Sequence, residues 1–149
     1  MASNETQNFH LNQWSLPDDV RMEDFNADNL KLEQALSGML RCQSGSYVGD
    51  GTYDEAHAIT LQFDLDPQIV IVSNLSEFTT DGIIALRGTN TGIYLNFGTS
   101  GVYRVNVPVT WGTNSLTWYS PAAPHVHANT EGTVYRYFAL GSPAPGAQA

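Results

Sequence analysis

The stretch from Ala58 to Ser73, AITLQFDLDPQIVIVS, decides the fold class. Every second residue of its first half is apolar: Ile59, Leu61, Phe63 and Leu65. Because successive side chains of a strand point to opposite faces, this alternation predicts a strand with one apolar face. The pair Asp66-Pro67 predicts a break after it. The apolar run within Gln68–Ser73 then predicts a second strand that is buried on both faces.

The residues after Tyr47 continue in the same manner. Short apolar or alternating segments are separated by turn signals such as Gly88-Thr89-Asn90-Thr91-Gly92 and Trp111-Gly112-Thr113-Asn114. About eight strands follow from this pattern, at the spacing of a sandwich. The sequence therefore predicts a mainly β protein, with an antiparallel β-sandwich over residues 46–141.

The residues before this body predict an N-terminal extended arm and one α-helix. The helix is expected over about residues 26–41, and Gly45 is the predicted C-cap of the stop signal that follows it. Its apolar stripe, with Trp14 of the arm, gives the predicted attachment and trimerisation residues: Trp14, Phe25, Leu32, Leu36 and Met39. Such a stripe packs either on a sheet or on copies of itself in a parallel bundle. Residues 1–45 thus form a predicted leader, and the Pro-, Gly- and Ala-rich residues 142–149 a predicted disordered tail.

Composition excludes several classes of function. The chain has 149 residues, with six Lys and Arg against fifteen Asp and Glu, and a net charge of −9. Nucleic acid is therefore an improbable partner, since phosphate binding depends on basic side chains. No apolar run approaches the length of a membrane span, so no membrane insertion is expected. Cys42 is the single cysteine, which excludes an intrachain disulfide and suggests a buried or interfacial side chain.

Several segments together resemble tail proteins of tailed bacteriophages and related prophages. LNQW at 11–14 with MEDFNADNLKLEQAL at 22–36 resembles an N-terminal signature of those proteins. YVGDGTY at 47–53 with LQFDLDPQIVIV at 61–72 resembles the opening of a tail or fibre tip domain, and residues 109–120 with 129–141 resemble its close. Two departures concern loops: Asp54 stands where the family more often has Gly, and PHVHA at 124–128 replaces a QLN-like stretch.

The resemblance implies a structural virion protein, made in the bacterial host cytoplasm and located in the phage tail. It implies a homotrimer that acts as a short tail fibre or receptor-binding tip. The N-terminus would attach to other phage tail proteins, and the β-domain would contact the bacterial surface, for example a surface glycan. Two alternatives stay open. One is a non-receptor structural fibre or adaptor of the head, neck or baseplate, and the other is a free carbohydrate-binding module.

Two sets of residues suggest ligand chemistry. His125 and His127 would share one face if they lay in a strand, and three copies around a threefold axis would offer six nitrogens to a transition metal. The alternative is a loop with two exposed histidines. Trp111 and Tyr119 border turns and are predicted glycan contacts, with a core or subunit-interface role as the alternative. No catalytic motif is present, so no catalytic residue and no other cofactor are predicted, and the chain is not expected to be an enzyme.

Overall fold

The computed structural model describes residues 2–75, 80–98 and 101–144. The chain divides into two compact units, one ending at Met39 and one beginning at Leu40. This boundary lies six residues before the predicted one, because residues from Arg41 onward already belong to the β-body. Each unit is described on its own.

The leader unit contains two short strands and one helix: β1 (Asn4–Glu5), β2 (Asn12–Gln13) and α1 (Met22–Ser37). β1 and β2 pair antiparallel. The helix begins four residues before the predicted start and ends four residues before the predicted end. Arg21 precedes it in extended conformation without a side-chain cap. At its end the Gly38 N–H donates to the Gln34 carbonyl and the Met39 N–H to the Leu36 carbonyl.

Contacts between the arm and the helix hold the leader unit together. The Asp28 carboxylate of α1 accepts hydrogen bonds from the Asn12 backbone N–H at 2.9 Å and from Asn12 Nδ2 at 3.0 Å. Partial burial works to raise the pKa of Asp28, but these bonds and the Lys31 ammonium outweigh it and lower that pKa. The rings of Trp14 and Phe25 stack with their centroids 5.8 Å apart. The acidic residues of the leader thus include one that anchors the arm to the helix.

The body is one eight-stranded antiparallel sheet. Its strands are β3 (Arg41–Val48), β4 (Ile59–Gln62), β5 (Leu65–Leu75), β6 (Thr80–Leu86), β7 (Thr91–Gly98), β8 (Gly101–Trp111), β9 (Ser115–Trp118) and β10 (Val134–Pro143). The order is β3-β10-β5-β6-β7-β8-β9-β4. Strands β5 to β9 form a meander, and β10 returns between β3 and β5. The sheet curls around its core, and the predicted mainly β antiparallel fold with one helix is confirmed.

The core lies on the inner face of this curled sheet. Its largest members are Trp118, Tyr94 and Tyr135, each at most 1 % exposed. Phe63 and Leu65 are buried and Ile59 and Leu61 pack against the core, so the predicted apolar face of this segment is correct. Burial of these side chains is the main favourable term in folding the body.

Two predictions for β5 are wrong. The strand passes through Asp66-Pro67 instead of breaking there, because its ladder with β10 shifts register beside the proline: Pro67 and Ile69 pair with the consecutive residues Gly141 and Leu140, which leaves Gln68 as an extra, bulged residue of β5. The hydrogen-bonded ladder is interrupted at a bulge, so the backbone N–H that proline lacks is not required for pairing there. The strand is also buried mainly on one face, since Val70 and Val72 lie in the core while Ile71 is 39 % exposed.

The ends of the body also differ from the predicted boundaries. Gly45, predicted to cap the helix, lies inside β3, where the Tyr137 ring leaves no room for a side chain. Ser142 and Pro143 belong to β10 and are not a disordered tail. The remainder of the predicted tail, residues 145–149, lies outside the described residues.

Candidate functional site

Two loop segments that are far apart in the sequence, one after β3 and one before β10, meet at one place in the body. We call this place the loop junction: residues 49–54, which follow β3, and residues 128–133, which precede β10. Asn129 Nδ2 donates to Asp50 Oδ1 at 2.6 Å and to the Thr52 carbonyl at 2.9 Å. In return, the Asp50 N–H donates to Asn129 Oδ1 at 3.2 Å. The YVGDGTY segment and the segment from Asn129 onward are therefore two halves of one hydrogen-bonded structure.

Packing fixes the loop junction as firmly as the hydrogen bonds do. Gly49 leaves no space for a Cβ, which would overlap the Thr130 carbonyl oxygen. The Tyr47 hydroxyl donates to the Ala128 carbonyl at 2.7 Å, and burial raises the pKa of Tyr47 far above its usual range. The phenol is therefore a permanent donor at any physiological pH. The two loops are held in one arrangement.

An open pocket of about 390 Å³ lies beside the loop junction. Its apolar lining comes from the two edge strands of the sheet: Tyr47 and Val48 of β3, and Ile59 and Leu61 of β4. Its polar lining is Asp50, Thr52, His57, Thr60 and Asn129. We call it the edge pocket. Because β3 and β4 stand at opposite ends of the strand order, the curl of the sheet brings its two free edges to this pocket.

The carboxylate of the edge pocket stays ionised. The Thr52 hydroxyl and N–H donate to Asp50 Oδ1 at 2.6 and 2.9 Å. These bonds, the hydroxyl one first, lower the pKa of Asp50, and the Asn129 amide adds to the effect. All hydrogen bonds that the described residues make to this carboxylate go to Oδ1, so Oδ2 remains able to accept one from a ligand.

An ion pair orients the imidazole of the edge pocket. Asp54 Oδ1 lies 2.9 Å from His57 Nδ1, and both side chains are about half exposed. This bond lowers the pKa of Asp54 and raises that of His57. It occupies Nδ1 and leaves Nε2 for a ligand. Among the described residues, no Ser, Thr or Cys side chain forms a hydrogen bond with His57.

The structure does not bring the two predicted metal ligands together on one strand face. Residues 124–128 form a turn, in which His125 is exposed against the edge of Tyr94 and His127 is fully buried. Both ring nitrogens of His127 lack a hydrogen-bond partner. Burial lowers its pKa, against the opposing charges of Asp50 and Asp54. The shared-face premise is wrong, as is the alternative of two exposed histidines, and the described residues contain no cluster of three or more metal-ligating side chains.

The predicted glycan contacts are partly occupied within the chain. Trp111 Nε1 donates to the Thr89 carbonyl at 3.0 Å, and the Arg87 guanidinium lies 5.4 Å from the centre of the Trp111 ring. Tyr119 is half-buried, and its N–H donates to the Pro108 carbonyl. In the described part of the chain, no ring contact joins Trp111 to Tyr119. The structure thus gives Trp111 a packing role and does not unite the pair.

The predicted attachment residues form an exposed surface on the leader. Phe25, Leu32, Leu36 and Met39 are 50, 37, 61 and 57 % exposed, and Trp14 is half-buried against Phe25. No residue of α1 is buried. This apolar surface of the leader is, after the edge pocket, the second candidate site for binding a partner. Cys42 is exposed on β3 instead of buried.

No pattern in the sequence predicted the edge pocket. The residue that orients its imidazole is Asp54, through the ion pair with His57. Comparison with protein-family models, with curated proteins and with solved structures finds no match for this chain. Among the described residues, no helix is both long and apolar enough to cross a membrane.

Proposed function

We propose that this chain is a structural protein of a bacteriophage tail, which assembles as a homotrimer through its leader helix and contacts the bacterial surface through its β-body. The observation that carries the proposal is the exposure of α1. A helix of 16 residues without a buried side chain is marginally stable in water. Burial of its large apolar side chains against a partner would stabilise it by about 1.5–3 kcal/mol for each side chain fully covered.

The spacing of these side chains fits copies of the same helix as the partner. In a heptad assignment of α1, position a holds Met22, Asn29 and Leu36, and position d holds Phe25 and Leu32. Met39 has the spacing of the next d position but follows the end of the helix. Apolar residues at a and d form the seam of a parallel coiled coil, and a single Asn at an a position fixes its register. The Met22 side chain is 80 % exposed and Leu36 is 61 % exposed, so both are available to such a seam.

Resemblance supports the location of the chain in a tail. The segments that resemble phage tail proteins comprise the helix that would assemble the trimer and both halves of the loop junction. Each of these segments has a distinct structural task, which favours a shared architecture over a chance likeness. A trimer that joins its copies at the leader leaves three β-bodies free to face a cell surface.

A pair of matched substitutions tests the proposed seam. Leu36→Gln removes an apolar side chain at an a position, and we expect it to shift the trimer towards monomer at micromolar concentration. Leu30 is also exposed, at 56 %, but lies about 140° around the helix from Phe25 at 100° per residue. Leu30→Gln should leave the trimer intact. Sedimentation velocity measures both, and equal dissociation of the two variants would contradict the seam.

The location in the particle has its own test. Antibodies raised against the chain, coupled to gold, should label the far end of the tail when phage particles from the encoding strain are viewed by electron microscopy. Gold on the head or neck would favour the structural adaptor, and particles without gold would contradict a virion role.

A further inference from the structure

We propose that the edge pocket binds a saccharide that carries free hydroxyl groups and no negative charge, and that it prefers an amino sugar to a neutral one. The inference deepens the proposed function, because it names the chemistry that the β-body would recognise on a bacterial surface. The proposed ligand site is therefore the gap between β3 and β4, and not the predicted glycan contacts Trp111 and Tyr119.

The polar groups of the edge pocket match sugar hydroxyls. Asp50 Oδ2 is a charged acceptor, since Oδ1 takes all the hydrogen bonds that the described residues make to this carboxylate. His57 Nε2 is a second polar atom that can bind a hydroxyl, and the ion pair with Asp54 already orients its imidazole ring. A carboxylate and an imidazole held in place by neighbours can accept from, and donate to, adjacent hydroxyls at little cost in conformational freedom.

The remaining lining suits the C–H face of a sugar ring. Val48, Ile59, Leu61 and the ring of Tyr47 supply apolar contacts. The volume of about 390 Å³ lies within the range of about 300–1,000 Å³ that is usual for small-molecule sites. In the described part of the chain no backbone hydrogen bond joins β3 to β4, so edge N–H and C=O groups are also available.

Charge decides between classes of sugar. Hydrogen bonds lower the pKa values of both Asp50 and Asp54, so both are ionised at neutral pH. Even with His57 protonated, these three groups carry a net negative charge. The whole chain carries −9. Uronates and phosphosugars are therefore repelled, while an ammonium group is attracted.

An extended peptide is the competing ligand, because free strand edges bind strands. The geometry of the gap disfavours it. Gln43 Oε1 on β3 accepts a hydrogen bond from the Asp64 N–H, just after β4, at 2.7 Å. A side chain of the protein thus already spans the gap at that end. β4 itself offers only four residues, Ile59–Gln62. The opening is a short pocket and does not form a continuous channel.

Titration of the full-length, isotope-labelled chain with sugars tests the proposal by NMR at pH 6.5, where the amine of a hexosamine is an ammonium and a hexuronate is ionised. The probes are the glucose, galactose and mannose series, each as hexose, hexosamine and hexuronate. At least one hexosamine should shift the amide signals of His57 and Thr60, its hexose should bind several-fold more weakly, and no hexuronate should bind. His57→Ala should weaken binding about tenfold. His125→Ala, which alters an exposed histidine outside the pocket lining, should leave it unchanged.

Several outcomes would overturn the proposal: no shift with any sugar, equal binding of uronates, shifts centred on Trp111 and Tyr119, or full affinity in His57→Ala. Shifts with hexalysine but with no sugar would assign the pocket to cationic peptides instead. The two proposals fail separately. A trimer that binds no sugar contradicts only the pocket, and a monomer that binds hexosamines contradicts only the assembly.

Discussion

At Asp54, backbone conformation and side-chain chemistry oppose each other. Its φ of 93° and ψ of 178° lie in a region that is almost restricted to glycine. A non-glycine residue there costs about 1–3 kcal/mol. Its side chain offsets part of this cost, because Oδ1 accepts hydrogen bonds from the Ala56 N–H and from His57. A glycine at this position would lack the strain and also the hydrogen bond that holds His57.

Two substitutions separate the strain from the hydrogen bonds. Asp54→Ala removes the bonds and keeps the strained backbone, while Asp54→Gly removes both. We therefore expect Asp54→Ala to have a free energy of unfolding about 1–2 kcal/mol lower than that of Asp54→Gly. Urea unfolding followed by tryptophan fluorescence measures the difference. Equal stability of the two variants would show that the backbone at this position is not strained.

His127 makes the stability of the body depend on pH. Burial holds its pKa in the folded protein below the unfolded value near 6.5. Below pH 6.5 the unfolded chain therefore binds a proton that the folded chain does not. The contribution is constant above pH 6.5, and stability falls as pH drops, by at most about 1.4 kcal/mol per pH unit for one proton.

A variant isolates this term from other titrations. His127→Leu should remove the part of the stability change between pH 7.5 and 5.5 that one histidine provides, whatever its effect on stability at pH 7.5. Urea unfolding of the wild type and of this variant at several pH values measures the two slopes. A slope in His127→Leu as steep as in the wild type would contradict the role of the buried imidazole.

At the scale of elements, the loop junction ties the chain after β3 to the chain before β10. Asn129 is 4 % exposed, and its side-chain amide donates hydrogen bonds to both Asp50 and Thr52. Asn129→Ala takes the hydrogen-bond partner from the Thr52 carbonyl and from the Asp50 N–H, so we expect a loss of about 1–3 kcal/mol in the free energy of unfolding. Asn114→Ala, at an exposed turn residue, should change it by less than about 0.5 kcal/mol. Thermal denaturation compares the two variants, and equal losses of stability would contradict the role of the loop junction.

Sequence reasoning succeeded where structure depends on neighbours along the chain. The alternation at 59–65 predicted which side chains face the core, because period two is a local property of a strand. It failed where distant segments decide. Pro67 stays in β5 because the ladder with β10 shifts register next to it, opposite Leu140 and Gly141, and the helix ends early because residues from Arg41 pair with β10.

The edge pocket could not be predicted for the same reason. Asp50 and Asn129 are 79 residues apart in sequence, and the pocket exists only because the curled sheet brings its first and last strands together. The exposed apolar stripe of the leader is a local pattern, so its position could be predicted. Its helix limits moved by four residues, but Leu32 and Leu36 remain on one exposed face.

At the scale of the whole molecule, the proposed assembly depends on contact between the leaders of several copies of the chain. The acidic residues Asp18 and Asp28 bind the arm internally, through Ser3 and Ser15 in one case and Asn12 in the other. These carboxylates are thus hydrogen-bonded within the leader, while its large apolar side chains are exposed. Large exposed apolar surfaces are typical of sites at which a protein binds another protein.

The molar mass of the purified chain in solution tests this central claim most directly. Light scattering coupled to size-exclusion chromatography at micromolar concentration should give about 49 kDa, three times the 16.3 kDa of one chain. A mass that stays at 16.3 kDa across a hundredfold range of concentration would contradict assembly through the leader.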